Sequence, residues 1–422
     1  MKTFVGFGFG PIQSALFLYE AFRSGNFSRF VIAEVDQKIV DAVRSEDGNC
    51  TINIALPDRI EKALIPGVEL YNPTVPEGRR QILQAISESD ELATALPSVA
   101  FFDTGGEASV ARTLAEGLSL RTAHEPTVVY TAENHNHAAE LLRESVAKHC
   151  PARVLENVQF LNTVIGKMSG VITEAGTVSK LKLATLTPGL PKAVLVEDFN
   201  RILISQITLP GFRRGIDVFV EKPDLLPFEE AKLYGHNAIH ALIGYLAEQR
   251  GLETMSAAVE HRDIMGIART AFLGESGAAL IRKHHNLGDP LFTPAGFAAY
   301  ADDLLTRMVR PSLNDLVARV TRDQVRKLGY DDRLFGTMRV ALQQGIRPVN
   351  LAKGAAAAVH SLLHNWESLG TTVASLPRPT HPVSLRSLEE LLRATWPREV
   401  GPDATELIGL TWEAYLEFDK QG

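Results

Sequence analysis

The chain opens with a strand, a glycine turn and a helix in immediate succession. Thr3 to Gly6 is a short apolar run that predicts a buried strand, and Gly8-Phe9-Gly10-Pro11-Ile12 follows as a turn. Apolar periodicity then predicts a helix from about Ile12 to Ser24, a second strand from Arg29 to Ala33 and a second helix from Asp36 to Arg44. Parallel strands need a crossover of this kind, so the pattern commits this end of the chain to a parallel sheet with helices over it. All-helical and purely antiparallel folds are excluded here. Further apolar runs at Ser98 to Phe102, Thr127 to Thr131 and Val158 to Ile165, with helices at Ala108 to Leu118 and His135 to Lys148, continue the alternation.

Thr187-Pro188-Gly189-Leu190-Pro191 is a dense turn signal, and beyond it helical periodicity dominates. The stretches 228–249, 254–284, 297–309, 312–328, 333–344, 351–365 and 383–395 are predicted helices. Ser312 and Asn350 are candidate N-caps, and Gly251 and Gly345 candidate helix stops. At 422 residues the chain is too long for one core. The sequence therefore predicts a Rossmann-like α/β domain over 1–188 and a mostly α-helical domain over 189–422.

Composition excludes several roles. A net charge of -7 gives no reason to expect nucleic acid or an anionic membrane as partner. The two cysteines, Cys50 and Cys150, support neither a disulfide framework nor a thiolate metal site, which fits a reducing cytoplasm. No stretch of about 18 uninterrupted apolar residues predicts a membrane span.

In the glycine turn, Gly8 permits tight chain reversal. Gly10 lets an anion approach the first N–H groups of the helix. Pro11 and Ile12 open that helix. The third glycine of the dinucleotide pattern is replaced by Gln13. Glu34 ends the second strand about 24 residues after Gly10, where a carboxylate accepts from both ribose hydroxyls and repels a 2′-phosphate. This favours NAD over NADP. Thr104 and Gly106, read as following the third strand, and Glu133 with Asn134, after the next, complete the candidate cofactor loops.

The chemistry is suggested by Lys232, Asn237 and His240. At about 100° per residue these positions span a sector of about 140° on a helix. An amine, a carboxamide and an imidazole there could take a proton from an alcohol and hold the oxygen left behind. A solvated polar face is the competing reading. His236 with His240, and His360 with His364, have the i, i+4 spacing of helical metal pairs, but neither has the glutamate of HExxH or a cysteine cluster. No metal is therefore expected. Arg319, Arg322, Arg326 and Lys327 form a basic cluster that could hold a substrate phosphate or could serve salt bridges between helices.

The Lys232, Asn237, His240 pattern resembles the signature of the polyol-specific long-chain dehydrogenases, the mannitol dehydrogenase family, nearest its mannitol-1-phosphate 5-dehydrogenase branch. Ala33-Glu34-Val35-Asp36-Gln37, Ala132-Glu133-Asn134, Val196-Glu197-Asp198-Phe199, Gly274-Glu275-Ser276-Gly277, Arg319-Val320-x-Arg322, Arg326-Lys327-Leu328, Asp332-Arg333-Leu334 and Asn350-Leu351-x-x-Gly354 agree in order. The resemblance implies an N-terminal Rossmann domain and a helical C-terminal domain. It implies metal-independent catalysis with Lys232 as general base, Asn134 and Asn237 on the reacting oxygen and His240 on the substrate. The expected substrate is a polyol or sugar phosphate, with mannitol 1-phosphate and fructose 6-phosphate as the pair. Mannitol 2-dehydrogenase or hexuronate (tagaturonate or fructuronate) reductase is the alternative within enzymes. A non-catalytic NAD- or sugar-phosphate-binding protein is the alternative outside them. The chain is expected to be a monomer or small homo-oligomer. It departs from the family pattern at Gln13, at Gly166-Lys167 in place of Asp-Arg, at Arg310 in place of asparagine, and in extra residues near 51–80.

Overall fold

A computed structural model describes residues 2–122 and 125–419. The chain forms two compact units, Met1–Leu226 and Pro227–Gly422.

Among the described residues the first unit has twelve strands. They are β1 (Lys2–Phe7), β2 (Phe27–Ala33), β3 (Cys50–Ala55), β4 (Ile60–Ile65), β5 (Val68–Tyr71) and β6 (Glu91–Thr94), then β7 (Thr127–Thr131), β8 (Val158–Val164), β9 (Ser169–Ile172), β10 (Ala193–Glu197), β11 (Ile202–Ser205) and β12 (Phe219–Lys222). The main sheet has eight strands in the order β12-β11-β8-β7-β6-β1-β2-β5. Its run from β5 to β8 is parallel throughout. This is the doubly wound dinucleotide-binding order, which reverses direction between β1 and β6. Alternation along each strand supplies two cores. Phe4, Ile32, Val128 and Tyr130 face one layer, and Val5, Phe7, Val31 and Val129 the other.

A second sheet, β4-β3-β10-β9, joins the first of these cores through Cys50, Ile52, Ile65, Val194 and Val196. The extra residues near 51–80 thus have three roles. They make the β3–β4 hairpin, the edge strand β5 of the main sheet, and the start of the helix Pro76–Ser87.

Two sequence expectations are corrected here. The third strand is β6, not Ser98 to Phe102. Ser98 instead caps a short turn at Val99–Phe101, accepting from Ala100 N at 3.3 Å, and Phe101 is 50% exposed. β6 escapes a hydropathy reading because it begins with Glu91. That carboxylate is fully buried but accepts from Lys2 Nζ at 3.1 Å and Tyr130 OH at 2.9 Å. The 188/189 boundary falls inside the first unit, because β10, β11 and β12 pair with its strands. The turn at 187–191 is real, with Gly189 at φ +79°, but it leads into β10.

The second unit is helical. Helix Leu226–Glu230 runs through a widened π turn, Ala231–Asn237, into Ala238–Gln249. Helix Arg262–Thr270 does the same through Ala271–Gly277 into Ala278–His284. Gly251 and Gly345 end helices at φ +67° and +69°. The predicted 312–328 helix is instead two short pieces, Val317–Thr321 and Gln324–Lys327, because Asn314 and Asp323 adopt positive φ. Ser312 lies within the turn Pro311–Leu313 and caps no helix.

The central helix Val349–His364 buries Ala355 to Ala358 completely. It packs on Ala238–Gln249, where a Cβ at Gly354 would lie 3.1 Å from Leu242 Cβ. Asn350 is not its cap. Glu275 Oε1 accepts from Asn350 N and Nδ2, and Oε2 from Leu351 N, all at 2.8 Å. A carboxylate from another helix thus closes this N-terminus. The helical stretch Arg262–Leu287, which holds Glu275, is long and apolar enough to cross a membrane by length and composition; half of its apolar window is buried in the fold.

Glu275→Ala is expected to leave buried amide donors without an acceptor and to cost about 2–4 kcal/mol of stability, read by urea denaturation. Glu275→Gln, which keeps one acceptor oxygen, should lose less.

Candidate active site

The glycine turn follows β1, where the order of the parallel strands reverses. Gly8 has φ +80°, donates to Ala33 O at 2.8 Å, and would bring a Cβ to 3.0 Å of Ala95 O. No atom lies within 4 Å of the place a Cβ would occupy on Gly10, so backbone is presented to open space. Pro11 and Ile12 form the first helical turn, where proline's missing N–H costs nothing. Ser14 N and Oγ both bond to Gly10 O at 2.9 Å and fix the turn to the helix.

Gln13 fits for two reasons. The helix begins as a wide π turn over Gln13–Leu18, and the facing residue on β1 is Gly6. A Cβ on Gly6 would lie 2.2 Å from Gln13 Nε2. The side chain therefore fills the space that β1 leaves empty, fully buried, with neither amide atom hydrogen-bonded.

Glu34 lies at the end of β2 and supports the turn. Its Oε2 accepts from Phe9 N at 2.8 Å and its Oε1 from Asp36 N at 2.8 Å. Glu133 likewise joins the ends of β7 and β6, accepting from Thr94 Oγ1 at 2.9 Å and Leu96 N at 2.8 Å; burial raises its carboxyl above the usual range. Asn134 is exposed beside it. Thr104 and Gly106 are exposed in the loop after the Val99–Phe101 turn, about ten residues beyond β6. That loop is anchored by Asp103 to His149 at 2.9 Å.

Lys232 and Asn237 occupy the π turn Ala231–Asn237, whose i→i+5 bonding appears where Ala238 N reaches Leu233 O. In such a turn the residue five ahead is brought almost into line. Lys232 and Asn237 therefore share a face more closely than in a regular helix. Neighbouring segments hold the turn open: Tyr234 O accepts from Ser276 Oγ at 2.7 Å and from Thr337 Oγ1 at 3.2 Å. Gly235, Gly277 and Gly336 make that approach possible; a Cβ on Gly336 would lie 2.7 Å from the Tyr234 ring.

Burial depresses the Lys232 ammonium to about 8; Glu229 pulls it upward and Arg333 pushes it down. His236 is buried, and desolvation together with His240, Arg307 and Lys232 holds it well below the usual imidazole range. His240 Nε2 lies 3.0 Å from Asp315 Oδ2, and Asp315 Oδ1 accepts from Arg319 Nε at 2.7 Å. Burial alone would raise the Asp315 carboxyl, but its bonds to His240 and Arg319 carry it below the usual range. The i, i+4 histidines are thus one neutral core imidazole and one carboxylate-held imidazole. His360, of the other pair, stacks on Tyr415 at 4.1 Å. Among the described residues no three metal-ligating side chains are grouped.

The basic cluster is largely committed internally. Arg319 pairs with Asp315, and Arg326 with Asp323 at 3.4 Å and Asp332 at 3.0 Å. Lys327 is buried and donates to the carbonyls of Val320 and Arg322; burial, with Arg333 and Arg326 nearby, lowers it to about 7. Arg322 is 67% exposed. At Gly166-Lys167 the departure from the family builds another internal network. Lys167 Nζ donates to Asn200 Oδ1 at 2.5 Å, and burial lowers it to about 8 against Glu20, Glu197 and Asp198. Sequence reasoning missed Asp315, whose partner His240 is 75 positions away. It noted Asp332-Arg333-Leu334 only as a motif.

A parallel sheet with a glycine turn at the point where the strand order reverses is the architecture of dinucleotide-binding units. Residues 224–371 match the family model of the mannitol dehydrogenase C-terminal domain. It is 28% identical to a mannitol-1-phosphate 5-dehydrogenase of Shouchella clausii, over 78% of this chain and 80% of that protein. It is also 28% identical to one of Halalkalibacterium halodurans, over 84% and 87%. Solved structures share the fold at 15% identity. A D-sorbitol dehydrogenase gives a TM-score of 0.77 over 100% of this chain and 93% of that one. The mannitol 2-dehydrogenase of Pseudomonas fluorescens gives 0.70 over 100% and 92%.

Gly6→Ala should cost about 1–3 kcal/mol by overpacking. The same change in a Gln13→Ala background should cost much less, and equal costs in both would refute the pairing of these two residues.

Proposed function

We propose that this protein is an NAD-dependent dehydrogenase interconverting a polyol phosphate and a ketose phosphate, with mannitol 1-phosphate and fructose 6-phosphate as the pair. The observation that carries this reading is Lys232, an amine lowered to about 8 on the same turn as Asn237. The cofactor, when bound, accepts or returns a hydride at its nicotinamide ring. Gly8 and Gly10 suit its pyrophosphate, and Pro11 and Ile12 start the helix whose N–H groups face it. Glu34, already holding the turn through Phe9 N, has remaining lone pairs for ribose hydroxyls and repels a 2′-phosphate.

In oxidation the neutral Lys232 amine takes the hydroxyl proton as the carbonyl forms. The Asn237 carboxamide donates to the oxygen as charge builds on it, and Asn134 is proposed as a further donor. With His240 Nε2–H donating to Asp315, Nδ1 is left to accept from a substrate hydroxyl. In reduction the Lys232 ammonium returns the proton. No metal is required, and dialysis against a chelator should leave turnover unchanged.

One observation favours the second reading, a mannitol 2-dehydrogenase or hexuronate reductase. Arg319, Arg326 and Lys327 are engaged by carboxylates and carbonyls rather than left for a phosphate.

Lys232→Ala should lower kcat by about 10²–10⁴-fold while NADH binding, followed by fluorescence, persists. Because the neutral amine is the base, kcat/KM for oxidation should rise with pH through an inflection near 8, and that for reduction should fall through it. Flat profiles between pH 7 and 9 in both directions would remove Lys232 from the mechanism.

A further inference from the structure

Arg333 lies in the turn just before the helix Phe335–Gln343, and that helix is joined to the π turn of Lys232 by the Thr337 to Tyr234 bond. Asp332 steers Arg333 from behind. Its Oδ1 accepts from Arg333 N at 2.7 Å and from Arg333 Nε at 2.8 Å, while Arg326 Nη1 holds its other oxygen at 3.0 Å. The Arg333 side chain is only 14% exposed, so its conformation is fixed and mostly desolvated. Both its bonds to Asp332 use Nε and the backbone, and no acceptor is bonded to Nη1 or Nη2 among the described residues. The guanidinium fork is thus oriented and has four N–H donors to spare, unlike Arg319, Arg326 and Lys327.

Cations and carboxylates both act here: Glu229 opposes Arg333 at Lys232, and Asp323 opposes it at Lys327. Arg333 depresses Lys232, His236 and Lys327, and Arg307 acts on His236 in the same sense. A cluster of cations this close to a proton-transfer lysine is stabilised when an anion enters it. A guanidinium with both terminal nitrogens available suits two oxygens of one phosphate or carboxylate.

We infer that Arg333 binds the anionic end of the substrate, a phosphate or a carboxylate, and so sets the enzyme's preference for charged over neutral sugars. This rests on the reading of Lys232 as the catalytic base. It moves the anion site from the basic cluster of 319–327 to a single arginine held by Asp332.

The test is NADH-linked reduction of fructose 6-phosphate, fructuronate and fructose by wild type, Arg333→Gln and Arg333→Lys. Wild type should favour one of the anionic ketoses over fructose by about 100-fold or more in kcat/KM. Arg333→Gln should lower that value by about 30-fold or more, chiefly through KM, and so narrow the preference over fructose by a similar factor. Arg333→Lys, a point charge, should fall between. Inorganic phosphate should compete with the favoured ketose in wild type, a result independent of how the variants fold. Equal use of fructose by wild type, an unchanged preference in Arg333→Gln, or no competition by phosphate overturns the assignment while leaving the dehydrogenase reading intact. No turnover of any of the three ketoses would overturn both.

Discussion

The helical unit is organised around one backbone carbonyl, that of Tyr234. Two hydroxyls from different segments, Ser276 and Thr337, converge on it. They hold a π turn that a regular i→i+4 ladder would otherwise close. The residue before Ser276 is Glu275, which closes the N-terminus of the buried central helix. The segment that shapes the lysine's turn and the segment that anchors the core are therefore one stretch of chain. Loss of the wide turn would move Lys232 and Asn237 apart on the helix surface, so their placement depends on packing some forty residues away in sequence.

The first unit shows the same economy at its glycine turn. Gln13 would be excluded from a standard helix–strand contact, but it sits under a π turn and against a strand residue without a side chain. Glu34 fixes Phe9 N there, and under the proposed function it also meets the ribose. Glu133 locks neighbouring strand ends in the same way. The residues assigned to cofactor contact also build the loops that make the contact.

What could be read from the sequence follows from range. β1, β2 and β7, the glycine turn and the helix between them depend on neighbours in the chain, and apolar runs announce them. β6 did not announce itself, because Glu91 finds its partners across the sheet. β10 and β11 were hidden for a similar reason: they pair with β3 and β8, distant segments of the first unit. Lys232, Asn237 and His240 could be found by spacing, yet the reason they cooperate could not. Helical periodicity assumes a regular turn, and the turn here is not regular. Nor does a cluster of arginines reveal which are already paired. Asp315, Asp323 and Asp332 decide that, each a near neighbour in the chain of the arginine it pairs with.

The small sheet has a consequence for how this chain must come together. β3 emerges early in synthesis, between β2 and β5, but its parallel neighbour β10 is made only after β9 and the turn at 187–191. The main sheet waits longer still, since its edge strand β12 ends at Lys222. An early hairpin of β3 and β4 must therefore stay exposed on the nascent chain, with one edge unpaired, until nearly the whole first unit has left the ribosome. The helical unit follows almost at once. A chain stalled between 66 and 192 would carry that open edge with nothing to close it.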